Sequence, residues 1–213
     1  MTNQDNTRMV FVRHGQTEWN VEGRAQGHAD SILTSLGRAQ AAAVGKRLKE
    51  LEFTRLYSSD LGRTQQTAGI IAGYTGHGII TDPRLREKNM GVFEGLTRPE
   101  IEENYSEELA RYFKLDPDHV VTNGESDRQF FTRSTACFEE LASSHSGETI
   151  VVVTHGGVLK NLFYYVIDLP LEAPRRHSIL NSSLNTVLRE NGNWRLETWG
   201  DVTHLWERGQ VCS

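Results

Sequence analysis

The sequence predicts an α/β fold, a three-layer sandwich around a mostly parallel mixed sheet, in a single domain spanning all 213 residues. Three observations predict it. Short apolar, β-branched runs alternate with stretches of helical periodicity, the pattern of strands and covering helices in a largely parallel sheet. One run, Thr149–Val153, is the most β-branched in the chain and belongs at the centre of the sheet. Two runs near the end, Leu184–Leu188 and Trp194–Thr198, flank Asn191–Gly192, a hairpin signal that adds antiparallel pairing.

Taken in order, Met9–Val12 reads as a buried strand that opens into a loop at Gly15. Thr34 can cap a helix whose apolar positions Leu36, Val44, Leu48 and Leu51 share one face. Phe53–Tyr57 is the next strand, and Ser58–Ser59–Asp60 after it is a natural helix start. Thr97 with Glu100 forms a capping box around Pro99, so a helix begins near Arg98. After Thr149–Val153 come His155–Gly156–Gly157 and a helical pattern to about Ile167. The stretch Lys88–Ser146 is richer in charge, with its least regular part at Leu115–Glu125, and reads as a helical cap insertion over the strand ends.

Lys and Arg number 23 against 28 Asp and Glu, a net charge of -5, which leaves no general footprint for nucleic acid or an anionic membrane. Positive charge for an anion must therefore be local. The longest apolar runs, Ile150–Val153 and Leu162–Ile167, are too short to span a bilayer, and Met1–Arg8 lacks the apolar core of a secretory signal. Cys137 and Cys212, the latter in what reads as a loose tail, show no ligand or redox spacing. The expectation is a cytoplasmic protein without nucleic-acid or membrane partners, a homodimer being left open.

Three charged clusters directly follow predicted strands: Arg13–His14–Gly15, Ser58–Arg63 and Thr154–His155–Gly156. Ligands of open α/β sheets bind at the carboxyl ends of strands, where loops and helix N-termini present N–H donors. Each cluster alone is ordinary; two histidines and two arginines converging on one edge make an anion site with a nucleophile in it. Arg13 and Arg63 can each grip phosphoryl oxygens with two prongs. A neutral imidazole is a competent nucleophile if its other ring nitrogen is held. A second, protonated histidine would neutralise developing charge, and a carboxyl group would protonate the leaving alcohol. The scheme needs no metal ion or other cofactor. The sequence has no H-E-x-x-H, paired-Cys motif, Asp cluster or Walker-type loop.

The segment Val12–Asn20 resembles the R-H-G signature of the histidine phosphatase superfamily, which includes the cofactor-dependent phosphoglycerate mutases. The resemblance continues through Gly23–Gly27, Leu33–Gly37, Ser58–Thr67, Leu85–Gly95, Asn123–Ser126, Val153–Gly157 and Gly200–Leu205, in order and over nearly the whole chain. It implies a phosphoglycerate mutase-like fold, with His14 the phosphate acceptor and Glu87 the general acid that then activates water. Arg13, Arg63 and His155 would complete the phosphate pocket. Asn20 and Thr17 would be secondary phosphate or loop-positioning residues, and Gln26 and Gly27 would approach the phosphate from the side. His204 would support the edge of the site or pack locally, and Glu94 is the next candidate for the acid.

The resemblance implies a phosphatase acting on a small phosphate ester, with a mutase-type phosphotransferase as the nearest alternative. Mutases of the superfamily usually carry Tyr-Gly where this chain has Met90–Gly91, a paired-Arg stretch in the cap, and a longer chain, none of them evident here. Ile32, where the phosphatases often carry Pro, is a departure expected only to loosen its loop. A non-catalytic phosphometabolite-binding protein is a third reading, weakened by the presence of both His14 and Glu87. Arg98, Tyr105, Arg111, Tyr112, Lys114 and Arg128 are cap side chains that could face the substrate.

Overall fold

A computed structural model describes residues 6–114 and 116–206, so the expectations for Met1–Asp5, Leu115 and Cys212 lie outside the described residues. Six strands form one sheet: β1 (Asn6–Arg13), β2 (Arg55–Ser58), β3 (Ile79–Thr81), β4 (Thr149–Thr154), β5 (Leu184–Glu190) and β6 (Asn193–Asp201). Their order is β3-β2-β4-β1-β5-β6. β1, β2, β3 and β4 are mutually parallel, whereas β5 runs antiparallel to β1 and to β6. The β5–β6 turn is Asn191–Gly192, both at positive φ (49° and 82°), as a two-residue hairpin turn of this twist requires.

The strand sequences are apolar at successive positions because both faces are covered. Met9, Phe11, Ile150 and Val152 point into one core; Val10, Val12, Val151 and Val153 point into the other. The second core is closed by α2 (Ser35–Leu48) and α3 (Gly62–Thr75) through Val44, Leu48, Ala68 and Ile71. The first is closed by α6 (Asp127–Ser144) and α7 (Gly156–Val166) through Phe138, Leu141, Leu159 and Leu162. The result is the expected three layers with β4 and β1 at the centre.

Two local expectations change. Of the stretch 88–146, the last part is α6, which packs its apolar face on the sheet. The cover over the strand ends is therefore narrower: α4 (Arg98–Asn104), α5 (Ser106–Tyr112) and their loops, around a small core of Phe93, Ile101, Leu109 and Val121. The Thr97–Glu100 capping box of α4 is formed as expected. Ser58–Ser59–Asp60 does not cap α3, whose N-cap is Leu61 with no side-chain bond. The three side chains are engaged elsewhere: Ser58 Oγ donates to Ser59 O, Ser59 Oγ contacts His155, and Asp60 pairs with Arg86.

Phe138 tests the packing of α6 on the sheet. It is fully buried and meets Phe11 edge to face at 5.3 Å. Phe138→Ala is expected to cost about 3–5 kcal/mol in urea unfolding; a loss under about 1 kcal/mol would mean that α6 is not seated on this core.

Candidate active site

β1 ends at Arg13 and β4 at Thr154, and the two strands are paired to that last residue. The next residues, His14 and His155, therefore emerge side by side, their rings 5.4 Å apart and both buried. His14 Nδ1 lies 2.8 Å from Gly15 O. A carbonyl only accepts, so Nδ1 carries the proton and Nε2 keeps its lone pair. Burial, then the charges of Arg63 and Arg13, holds the His14 pKa well below the usual imidazole value, so the ring is neutral at physiological pH. This is the tautomer and charge state that a nucleophile requires.

His155 Nε2 lies 2.9 Å from Ser59 Oγ, and its Nδ1 is buried without a partner. In the tautomer in which Ser59 donates to Nε2, Nδ1 keeps an N–H for an oxyanion. Burial first, then Arg63, His14 and Arg13, depresses the His155 pKa well below its usual value.

The arginines are held by main-chain carbonyls. Arg13 Nη1 donates to Ile179 O at 2.6 Å, while burial lowers its pKa to about 10. Arg63, 1% exposed, donates from Nη2 to Gly27 O (2.8 Å) and from Nη1 to Ala29 O (2.9 Å) and Asp30 Oδ1 (3.0 Å). The Nε–H groups of both arginines are buried without acceptors, as is His155 Nδ1. Buried polar atoms are normally satisfied, and three such unpaired nitrogens near one nucleophile suit the oxygens of an anion.

Glu87 sits in the loop after a 3-10 turn, Pro83–Leu85. Its Oε1 accepts from Lys88 N–H (2.8 Å) and its Oε2 from Gly157 N–H (2.9 Å), at the start of α7. A Cβ at 157 would collide with Glu87 Oε1, so a side chain there would displace the carboxylate from this position. Glu94, the alternative acid, does not line the cleft. It accepts three backbone N–H bonds, from His28 (2.8 Å), Met90 (2.9 Å) and Ala29 (2.8 Å). It thereby braces the very loop whose carbonyls hold Arg63.

Arg13, His14, Asn20, Gln26, Gly27, Arg63 and Glu87 all line one cleft of about 330 Å³, with His155 packed beside His14. Thr17 does not line it; it is buried and exchanges capping bonds with Asn20 at the start of α1 (Glu18–Glu22), a positioning role. Gln26 brings a buried, unpartnered Oε1. His204 Nε2 bonds Ser182 O (3.0 Å), and Ser182 N–H donates to Arg13 O, so that histidine supports the edge of the site. Of the six cap side chains anticipated, only Tyr112 lines the cleft. Arg98 lies over the Phe113 ring and Arg128 pairs with Asp118. Sequence reasoning missed Lys88, Lys160 and Arg175. Lys160 had a signal, three residues beyond Gly157 on the same helix face; Arg175, in an irregular loop, had none. Among the described residues no group of three or more His, Cys, Asp or Glu is placed to hold a metal ion, and no helix is long and apolar enough to cross a membrane.

Residues 9–202 match the histidine phosphatase superfamily, branch 1, and the chain belongs to that family. It is 39% identical over 213 residues to phosphoglycerate mutase-like protein 4 of Arabidopsis thaliana, covering 98% of this chain and 91% of the relative. It is 38% identical over 202 residues to a metal-independent phosphoserine phosphatase of the same plant, covering 93% and 83%. The solved structure of YhfR from Bacillus stearothermophilus is similar with a TM-score of 0.88 at 34% identity, covering 93% of this chain and 99% of that one. The α/β sandwich expected from the sequence is thus the phosphoglycerate mutase-like fold of this family.

The two buried histidines make stability pH-dependent. Each folded-state pKa lies below the unfolded value of 6.5, so between the two values the unfolded chain binds the extra proton. Their contribution is complete above that value and is lost as pH falls below it, by up to about 1.4 kcal/mol per pH unit for each histidine. His177 and His204, both lowered by burial, act in the same direction. Urea unfolding should show stability falling between pH 7 and pH 5.5; a flat profile would mean that the buried histidines titrate in the fold as they do in the unfolded chain.

Proposed function

We propose that the protein is a cytoplasmic, metal-independent phosphatase that hydrolyses small phosphate monoesters through a phosphohistidine on His14. One observation carries this: a neutral, buried imidazole with a free Nε2, surrounded by three cationic or neutral N–H donors without acceptors. The relative named as a phosphoserine phosphatase supports it.

In the first step the Nε2 lone pair attacks phosphorus and the bond to the ester oxygen breaks. Arg13, Arg63 and His155 N–H groups stabilise the charge on the equatorial oxygens. Glu87 gives its proton to the leaving alkoxide, which departs as the alcohol. In the second step the Glu87 carboxylate takes a proton from water as the water oxygen attacks the phosphoryl group, and the P–N bond electrons return to Nε2. The Gly157 and Lys88 N–H groups aim both carboxyl oxygens. A mutase would pass the phosphoryl group to a second hydroxyl instead. Against that, Met90 lines this cleft at the position where mutases of the superfamily usually carry Tyr.

The test is a rapid quench with a labelled aryl phosphate on Glu87→Gln. An aryl leaving group hardly needs a proton, so the burst should be near normal. Turnover should then stall, because the phosphoenzyme lacks its base. The trapped phosphate should be acid-labile, base-stable and located on His14, and His14→Ala should abolish both burst and turnover, a loss on the order of 10³-fold or more. Acid-stable label on a serine or carboxylate, or wild-type turnover by Glu87→Gln, would contradict the mechanism. Activity should survive exhaustive chelation.

A further inference from the structure

The phosphate clamp leaves two cations of the cleft unused. Lys160 and Arg175 line it, yet neither has a carboxylate within ion-pair distance among the described residues. The other two cations outside the clamp are neutralised. Arg24 pairs with Glu22 and Glu100, and Lys88 pairs with Asp127 at 3.0 Å. In a chain of net charge -5, this pair of cations without carboxylate partners makes one small cleft locally positive, although Arg175 itself is exposed.

Their position in the fold says which part of a substrate they meet. Glu87 is held by the N–H of Gly157, and its proton goes to the leaving oxygen, so it marks the leaving-group side. Lys160 is three residues along α7 from Gly157, on the same helix face and about 4.5 Å further along the axis. Its Nζ lies over the Tyr164 ring, 5.2 Å from the centroid. Arg175 comes from the loop after α7, and its charge is felt at Arg13 and at the Tyr112 hydroxyl. The same cleft is lined by Met90, Tyr112 and Phe130, which suits a short carbon skeleton.

We infer that Lys160 and Arg175 form a second anion subsite, and that the substrate is a phosphate ester whose leaving alcohol carries a further anionic group, a carboxylate or a second phosphate. This rests on the phosphatase reading of the same cleft. Arg175 grips the second anion with its guanidinium fork and Lys160 supplies a point charge beside it.

Binding separates the subsite from the chemistry. The probes are non-hydrolysable: 3-phosphonopropanoate, 1,3-propanediphosphonate and propylphosphonate, titrated calorimetrically into the full chain. The wild type should bind at least one doubly anionic probe about tenfold or more tighter than propylphosphonate, the gain expected of one charge-assisted hydrogen bond. The carboxylate and phosphonate arms identify which anion is preferred. Lys160→Ala and Arg175→Ala should each shrink that ratio, and the double variant should bring it close to one. Among the described residues neither side chain has a hydrogen-bond or ion-pair partner, so the fold should hold, with thermal unfolding as the check. Equal affinity for all three probes in the wild type, or a ratio untouched in the double variant, would overturn the subsite. A wild type that shows the ratio but fails to turn over any ester would instead count against the phosphatase reading alone.

Discussion

β1 and β4 pair in parallel register until both strands end, with Arg13 opposite Thr154, and the His14 N–H then donates to Thr154 O at 3.0 Å. That register sets everything at the sheet edge. A slip of one residue would turn each alternating side chain to the other face and separate the two imidazoles. The register is itself held by burial: Met9, Phe11, Ile150 and Val152 face one helical layer, Val10, Val12, Val151 and Val153 the other. The apolar core thus places two histidines that contribute nothing to it.

Around them the fold has buried positive charge that finds no carboxylate at full strength. Arg13 rests on a carbonyl, and Arg63 on two carbonyls and Asp30. Burying cations with imperfect partners is costly, and here the cost does two things at once. It keeps donors aimed at an oxyanion without reorganisation, and it drives protons off His14, leaving the lone pair exposed. A phosphate dianion beside His155 would reverse the local sign and favour the proton that its chemistry anticipates. Glu94 sustains the arrangement from outside the cleft, tying the 28–29 backbone to Met90 while the neighbouring carbonyls hold Arg63.

Much of this was legible in the chain. The strands, the Asn191–Gly192 turn, the Thr97–Glu100 capping box and the convergence of Arg13, His14, Arg63 and His155 follow from local pattern and from the rule that loops at strand ends meet. What stayed hidden depends on tertiary packing. Nothing in Ser58–Ser59–Asp60 shows that its hydroxyls and carboxylate are spent on the Ser59 carbonyl, His155 and Arg86 rather than on a helix cap. The periodicity of α6 does not say whether it covers a sheet or a cleft. Arg175 lies among Pro170, Pro174 and several charged residues, where one more arginine looks like surface. Thr17 and Glu94 carry polar groups suited to catalysis but are consumed by backbone N–H bonds, a fact only the fold reveals.

The central claim is that His14 enters the reaction neutral, with its proton on Nδ1 and its lone pair on Nε2. Long-range ¹H–¹⁵N correlation spectra of the ligand-free protein at pH 7, assigned by comparison with His14→Gln, measure that state directly. The account predicts a neutral ring with Nδ1 protonated and Nε2 at the shift of an unprotonated imidazole nitrogen. An imidazolium, or a proton on Nε2, would contradict it, because neither form offers phosphorus a lone pair from the nitrogen that faces the clamp.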